Sequence, residues 1–322
     1  MLYDIFKEKR CFKLVCGAGN GDVEQIERLI ALYSLSGCNF FDVRADIDVV
    51  KAAKRGLERA GIKDDRYLCV SVGIKGDPHI NKAYIDKNSC IKCGACFSSC
   101  IHEAIQETAD GYEVVLKKCL GCEKCKTECP NNAIEMKSMF KPLAELLPPL
   151  IDLGIDAVEF HAVDGDKDNI LNEWNELNRI FDGPISISID RLKLGDEDLI
   201  DVTKKMVESR KPFTTIIQAD GCPMSGGKDN YRTTLQAVAS AELFEGANLD
   251  AYIMMSGGTN TKSADLVKMC EIPIDGIAVG TFARKIVKDY IARDDFFENK
   301  EVFEKALEIS TNFVNTVLEF NK

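Results

Sequence analysis

The stretches "CIKCGACFSSC" (Cys90–Cys100) and "CLGCEKCKTEC" (Cys119–Cys129) carry eight of the chain's fourteen cysteines, and each reads C-x2-C-x2-C-x3-C. Thiolates are soft ligands, suited to zinc, copper(I) and iron–sulfur clusters. Structural zinc sites come as separated C-x2-C pairs, four ligands to a metal. Three cysteines in one tight loop, with a fourth after x3, is instead the spacing of two-cluster bacterial ferredoxins, whose fourth cysteine crosses to the other cluster. The spacing therefore predicts two 4Fe-4S clusters. One takes Cys90, Cys93, Cys96 and Cys129, and the other takes Cys119, Cys122, Cys125 and Cys100, with a pair of zinc knuckles as the alternative. The second run ends in Cys129-Pro130, as that pattern has it, whereas the first ends in Cys100-Ile101. "HEAI" (102–105) and "NNAI" (131–134) follow the two runs at matching places, so the segment reads as an internal duplication.

With this segment set aside, the remaining chain alternates short apolar runs with amphipathic stretches. Strand patterns at 12–18, 38–45 and 66–73 precede it. Strand patterns at 156–163, 184–190, 213–220, 250–257 and 275–281 follow it. Between them the helical period appears over 23–35, 49–60, 141–153 (interrupted at Pro148-Pro149), 168–181, 196–209, 232–245 and 262–269. Asp22 and Gln25 open the first of these in a capping-box-like arrangement. The strands are nearly continuous apolar runs, as parallel strands covered on both faces are. Eight strand–helix units in the roughly 260 residues left after excision match a (β/α)8 TIM barrel, an α/β fold of ~250 residues. A doubly wound open sheet is the alternative, because periodicity does not detect closure. The expected organisation is a first barrel part at 1–76, a bacterial-type two-cluster ferredoxin domain at 77–137 inserted after the third strand, a second barrel part at 138–294, and a C-terminal amphipathic helix at 295–322 capped by Asn299. An insertion there leaves from the C-terminal face, where barrel active sites lie.

Net charge −11 and a pI near 5.0 argue against nucleic acid or an anionic membrane as partner. The opening "MLYDIFKEKRCFKL" has no signal-peptide pattern, and the most apolar later segment, Leu143–Phe160, is broken by Glu145, Pro148, Pro149, Asp152 and Asp156. A cytoplasmic location is therefore expected, and in a reducing compartment the thiols read as ligands or buried apolar groups rather than disulfides.

The barrel mouth offers further candidates. "SGGTN" (256–260) and "VGTFARK" (279–285) follow strands seven and eight, whose loops commonly cradle phosphate. Gly257, Gly258, Thr259, Gly280, Thr281 and Arg284 are thus the expected grip for FMN or another phosphate-bearing ligand, although Gly-Gly also serves a tight turn. The loop after strand six, "QADGCPMSGGKDNYRTT" (218–234), brings Lys228 and Arg232 as anion ligands, Asp220 as an acid or base, and Cys222 as a reactive thiol outside the cluster runs. Asp42, Arg44, Asp46, Glu159, Asp190 and Arg191 sit near strand ends. His161 is the expected acid/base, since an unperturbed imidazole titrates near neutrality. "CGAGNG" (16–21) lacks the third glycine of a dinucleotide fingerprint and reads as the first βα loop, with Cys16 as a buried thiol.

"FKLVCGAGNGD" (12–22), "SVGIKGDPHINKAYID" (71–86), "QADGCPMSGG" (218–227) and "SGGTNTKSADLVKM…GIAVGTFARK" (256–285) together resemble the LdpA family across nearly the whole chain. These light-dependent period proteins are known from cyanobacteria as iron–sulfur redox proteins feeding the circadian clock. The resemblance implies a 4Fe-4S protein that transfers electrons or senses redox state toward a partner protein or a small-molecule ligand. The chain departs from the expected continuation after "PMSG", where it has "GKDNYRTT" (227–234). The last two βα loops are also similar to flavin barrels of the dihydroorotate or dihydropyrimidine dehydrogenase type. That likeness implies an oxidoreductase whose clusters feed FMN, with His161, Lys228 or Cys222 handling protons.

Overall fold

The computed structural model describes residues 1–321 apart from 63, 75, 76, 78, 79, 190 and 222–228. Eight parallel strands close into a barrel: β1 (Cys11–Val15), β2 (Phe40–Arg44), β3 (Tyr67–Gly73), β8 (Ala157–Ala162), β9 (Ile185–Ile189), β10 (Thr215–Asp220), β11 (Tyr252–Ser256) and β12 (Gly276–Val279), which returns to β1. Closure settles the choice between barrel and open sheet. The four strands β4 (Asn81–Ile85), β5 (Ile105–Thr108), β6 (Gly111–Val114) and β7 (Ile134–Ser138) belong to the insertion after β3.

The barrel's outward side chains, such as Phe41, Val70, Phe160 and Ile187, pack under the surrounding helices in one continuous core. Two of these helices show why the chain obeys its local signals. Helix α2 (Val23–Leu35) is capped by Asp22, whose carboxylate accepts the Gln25 backbone N–H at 3.3 Å. The Gln25 side chain does not complete a box; its oxygen accepts from Asn20 instead. Helix α3 (Ile47–Ala60) is capped by Asp46 and ends on Gly61 at φ 68°. The helical stretch at 141–153 breaks where its prolines predict, into Leu143–Leu146 and Pro148–Asp152. The C-terminal helix Lys300–Leu318 starts on the Asn299 cap and packs against the barrel's helices.

One element has no counterpart in the sequence reading. Helix α1 (Leu2–Lys7) plugs the N-terminal end of the barrel, burying Leu2, Ile5 and Phe6 against Phe40, Cys69, Ile216, Tyr252 and Met254. Phe6 stacks on Tyr252 at 5.2 Å and meets Phe40 edge-on at 6.1 Å.

The insertion has its own small core of Ala83, Ala104, Ile105, Ile134 and cysteines 96, 119 and 125. Its duplication is visible in the backbone. Left-handed residues recur at Lys92 and Gly121, at Gly94 and Glu123, and at Glu103 and Asn132. That is the same offset that relates Cys90 to Cys119. Both runs make the same closing turn, with Cys100 N–H to Phe97 O at 3.2 Å and Cys129 N–H to Lys126 O at 3.3 Å. The missing proline after Cys100 leaves the turn unchanged. Among the described residues no helix is long and apolar enough to cross a membrane.

Candidate cluster sites and the polar barrel mouth

The tight loops fold each cysteine run around a cavity, and each cavity draws on both runs. One, of about 310 Å³, is lined by Cys90, Cys93, Cys96 and Cys129 with Ile85, Tyr112 and Ile134. The other, of about 360 Å³, is lined by Cys119, Cys122, Cys125 and Cys100 with Ala83, Val114 and Met136. Backbone N–H groups point at the sulfurs: Ala104 to Cys100 Sγ and Ala133 to Cys129 Sγ, both at 3.3 Å, and Ala83 to Cys119 Sγ at 3.5 Å. Burial, then the neighbouring Cys119, Cys122 and Cys100 thiolates, push Cys125 up to about 11. Four thiolates therefore share such a pocket only around a multiply charged cationic centre. Sulfur donors in fours, apolar walls and N–H···S bonds suit an iron–sulfur cube.

The two cavities stand differently toward the barrel. The Cys119 cavity rests on the first βα loop. A Cβ on Gly19 would lie 3.0 Å from Leu120 Cα and 3.3 Å from the Cys119 carbonyl, so any larger residue would push the two backbones apart. Gly21 N–H donates to Lys117 O at 2.8 Å, and the Lys82 ammonium donates to the carbonyls of Gly19 (2.8 Å) and Cys119. On the far side Glu103 pairs with Lys288, beyond β12. Gly19 and Gly21 of "CGAGNG" are thus docking positions for the insertion. The Cys90 cavity lies in the other half of the insertion, and beside it Ile91 and Phe97 are 61% and 48% exposed.

Below the insertion, the upper half of the barrel interior is polar. Successive inward positions place Lys13 on β1, Asp42 on β2, Cys69 and Ser71 on β3, Glu159 and His161 on β8, Ser186 and Ser188 on β9, Gln218 and Asp220 on β10, and Ser256 on β11, all buried. The Glu159 carboxylate accepts from the Lys13 ammonium on one oxygen and from His161 Nε2 on the other, at 2.7 Å. His161 Nδ1 faces Asp77 at 3.3 Å. Ser71 donates to Asp42 at 2.6 Å and Ser188 to Asp220 at 2.7 Å.

Charges in so dry a place are set by burial and by one another. Burial disfavours the Lys13 cation, but Glu159, Cys69 and Asp42 outweigh it and raise its pKa. Burial would also strip His161 of its proton, but the hydrogen bonds to Asp77 and Glu159 hold it well above the usual range. Burial raises Glu159, and Lys13 and His161 overcome this to hold it ionised. Asp42 takes the opposite course, pushed up to about 7 by burial and then by Glu159. Burial likewise lifts Asp220 to about 6. The network therefore rests with Lys13 and His161 charged and with Asp42 and Asp220 able to take up a proton near neutrality. His161 is accordingly a double donor between carboxylates, not the neutral base its unperturbed pKa suggests.

The expected phosphate grip is arranged differently. Thr259 donates its hydroxyl to Ala278 O at 2.5 Å, and the Arg284 guanidinium donates to Val15 O at 2.6 Å. The Cβ spaces of Gly257 (φ 57°) and Gly258 (φ 86°) are closed by the Gly221 backbone and the Thr233 carbonyl, at 2.8 Å in each case. A Cβ on Gly280 would meet Val15 at 3.3 Å, and Thr281 begins the short helix Thr281–Ile286. These glycines let neighbouring loops pack closely, and the Thr259 hydroxyl and one Arg284 N–H already serve carbonyls of the chain, so this arrangement gives the expected FMN grip no support. Lys228, Cys222 and Asp190 lie outside the described residues. Arg232 is exposed, Arg191 pairs with Asp196, and Asp46 caps α3. Lys13, Cys69, Ser186, Ser188 and Gln218 are the interior residues that motif reasoning passed over.

A family model for the light dependent period A C-terminal domain matches residues 150–318, and one for a 4Fe-4S dicluster domain matches 83–136. Light dependent period A from Synechococcus elongatus is 31% identical over 297 residues, covering 89% of this chain and 81% of that protein. The delta subunit of the NADH-dependent phenylglyoxylate dehydrogenase of Aromatoleum evansii is 37% identical over 79 residues, 23% of this chain and 83% of that subunit. The YdjI aldolase from Escherichia coli K12 superposes with a TM-score of 0.51 over 98% of this chain and 94% of the aldolase, at 8% identity, a likeness of fold alone.

Proposed function

The chain belongs to the light dependent period A family and carries a 4Fe-4S dicluster domain, and on that basis we propose that it passes electrons through two clusters between a redox partner protein and the barrel mouth. One observation carries the reading: two four-cysteine cavities, one beside exposed apolar side chains and the other seated on the first βα loop. Bound 4Fe-4S clusters supply one-electron transfer over a wide span of potentials.

Cys90, Cys93, Cys96 and Cys129 would hold the outer cluster, and Cys119, Cys122, Cys125 and Cys100 the inner one. Ile91 and Phe97 offer the apolar contact that a transient partner needs. Lys82 fixes the inner site against the barrel by bonding carbonyls of both domains. Beneath it, Asp42 and Asp220 can take a proton when negative charge arrives above them, while Lys13 and His161 stay charged against Glu159. An FMN-dependent oxidoreductase, the other expectation, is not supported, because Thr259 and Arg284 are committed to carbonyls.

Iron, acid-labile sulfide and flavin are to be quantified together on anaerobically purified protein. The expected result is about eight irons and eight sulfides per chain without stoichiometric flavin. Zinc without sulfide would remove the redox reading, and stoichiometric FMN would restore the flavin one.

A further inference from the structure

Neither cluster cavity includes the cleft between the barrel and the stem of the insertion. This cleft spans about 570 Å³ with its open mouth included, and its walls include Gly19, Arg44, Asp46, Ser71, Lys82 and Lys141. Its charge is unusual for this chain. Three cations meet one carboxylate, although acidic residues outnumber basic ones 52 to 41 overall. The carboxylate, Asp46, is turned to α3, where it accepts the N–H groups of Asp48 (3.0 Å) and Val49 (3.4 Å).

Among the described residues neither inner cation has a carboxylate partner. Lys82 is 2% exposed, and among the described residues its ammonium donates to the carbonyls of Gly19 and Cys119. Arg44 is half-buried, and among the described residues its guanidinium makes no hydrogen bond or ion pair. The guanidinium lies over the first βα loop, with Arg44 Nη1 3.1 Å from where a Cβ on Gly21 would stand. Arg44 and Lys82 both line this one cleft, so two like charges share its space. Burying and pairing like charges is unfavourable unless an anion joins them. Ser71 lines the floor of the cleft and donates to Asp42 behind it.

We propose that this cleft binds a small molecule bearing a carboxylate or phosphate group, with Arg44 as its planar clamp and Lys82 as a second positive charge. Arg is the side chain suited to two-pronged recognition of either oxyanion. The site rests on how insertion and barrel meet, not on cluster chemistry, so it stands or falls separately from the electron-transfer reading. A molecule held there would lie between the inner cysteine cavity, through Lys82, and the proton-bearing network, through Ser71.

The test is isothermal titration calorimetry on the anaerobically purified full chain, with inorganic phosphate and malonate as separate probes. Saturable one-site binding of at least one probe is expected, weakened about tenfold to a hundredfold in Arg44→Gln, the loss of a charge-assisted hydrogen bond. Phosphate binding with malonate silent assigns a phosphorylated ligand, and the reverse assigns a carboxylate. Iron content and Trp174 fluorescence report whether the variant remains folded. If Arg44→Gln loses iron, the exposed Lys141→Gln takes its place, with a weakening of about twofold to fivefold expected. No saturable heat from either probe, or wild-type affinity in a folded variant, would overturn the proposal and leave these cations to the field of the inner cluster.

Discussion

Replacing Lys13 by methionine tests the buried network most directly. Lys13 is fully buried on β1, and its ammonium meets Glu159, itself 3% exposed, across the barrel. Methionine fills nearly the same volume, so the change removes charge without leaving a cavity. Glu159 would keep His161 at 2.7 Å but lose its second cation, and Asp42 would lose the charge that opposes its protonation. Breaking a buried pair from one side costs about 3–5 kcal/mol, because the abandoned charge stays in a dry site. The pH dependence has a defined sign. Glu159 is held below its ordinary pKa, so its contribution is full above about 4.3 and is lost as pH falls through that value toward the folded one. In Lys13→Met that acid loss shrinks. The assay is guanidinium unfolding followed by Trp174, the only tryptophan, which is 1% exposed and packs on Phe160 of β8 at 5.7 Å. Adding Glu159→Leu to Lys13→Met should recover more than half of the loss, the coupling expected of direct partners. A single variant within about 1 kcal/mol of wild type, or a double variant whose losses simply add, would refute the claim that the pair is dry and mutually dependent.

Asp42→Asn should flatten the pH profile of barrel stability between about 4 and 7. An aspartate raised to about 7 destabilises the folded barrel by up to about 4 kcal/mol as pH climbs from its unfolded pKa through its folded one, and a profile unchanged by the substitution would count against it. Cys100→Ala and Cys119→Ala should leave the same remaining cluster, with matching electron paramagnetic resonance spectra and about four irons, while Cys129→Ala pairs with Cys90→Ala; matches within each run instead would contradict the crossover. Gly56→Ala should lower stability by about 1–3 kcal/mol despite alanine's better helix propensity, because its Cβ would lie 2.6 Å from Glu27 O and 2.8 Å from Ile30 Cβ across the α2–α3 contact. Equal or raised stability would show that those helices can part without cost.

The barrel could be read from the sequence because its outer faces must be apolar to meet helices, and each strand announced itself in that way. The same logic hid the interior. In "ISISI" the isoleucines at 185, 187 and 189 carry the strand signal, while Ser186 and Ser188 look like mere alternation; only the closed sheet shows that they face inward. Lys13, a charge in the middle of "CFKLV", was the available clue, since a buried strand carries a lysine only if a partner waits inside. The cysteine runs stood out because metal geometry fixes their spacing, and each cavity is lined by the four cysteines that the spacing groups. The phosphate grip was not, because a glycine pair that makes room for a ligand and one that makes room for Thr233 share the same letters. Helix α1 was passed over because its apolar face, Leu2, Ile5 and Phe6, is only one short turn and a half.

The two halves of the barrel interior answer different demands. Toward the N-terminal end, α1 and the first inward layer are packed with Phe6, Phe40, Ile216, Tyr252 and Met254, as a core selected for stability would be. Toward the C-terminal end the same strands turn to Lys13, Asp42, Glu159, His161, Gln218 and Asp220, with buried oxygens of Asp42, Ser186 and Gln218 left without partners among the described residues. Apolar residues of similar volume would have been at least as stable there. The insertion attaches at that polar end and seats its inner cysteine cavity on the first βα loop, so the less stable choice of interior coincides with the face an electron could reach. Nothing in the stability of an insertion asks for charged residues in the barrel beneath it, and the proposed electron transfer gives them a use.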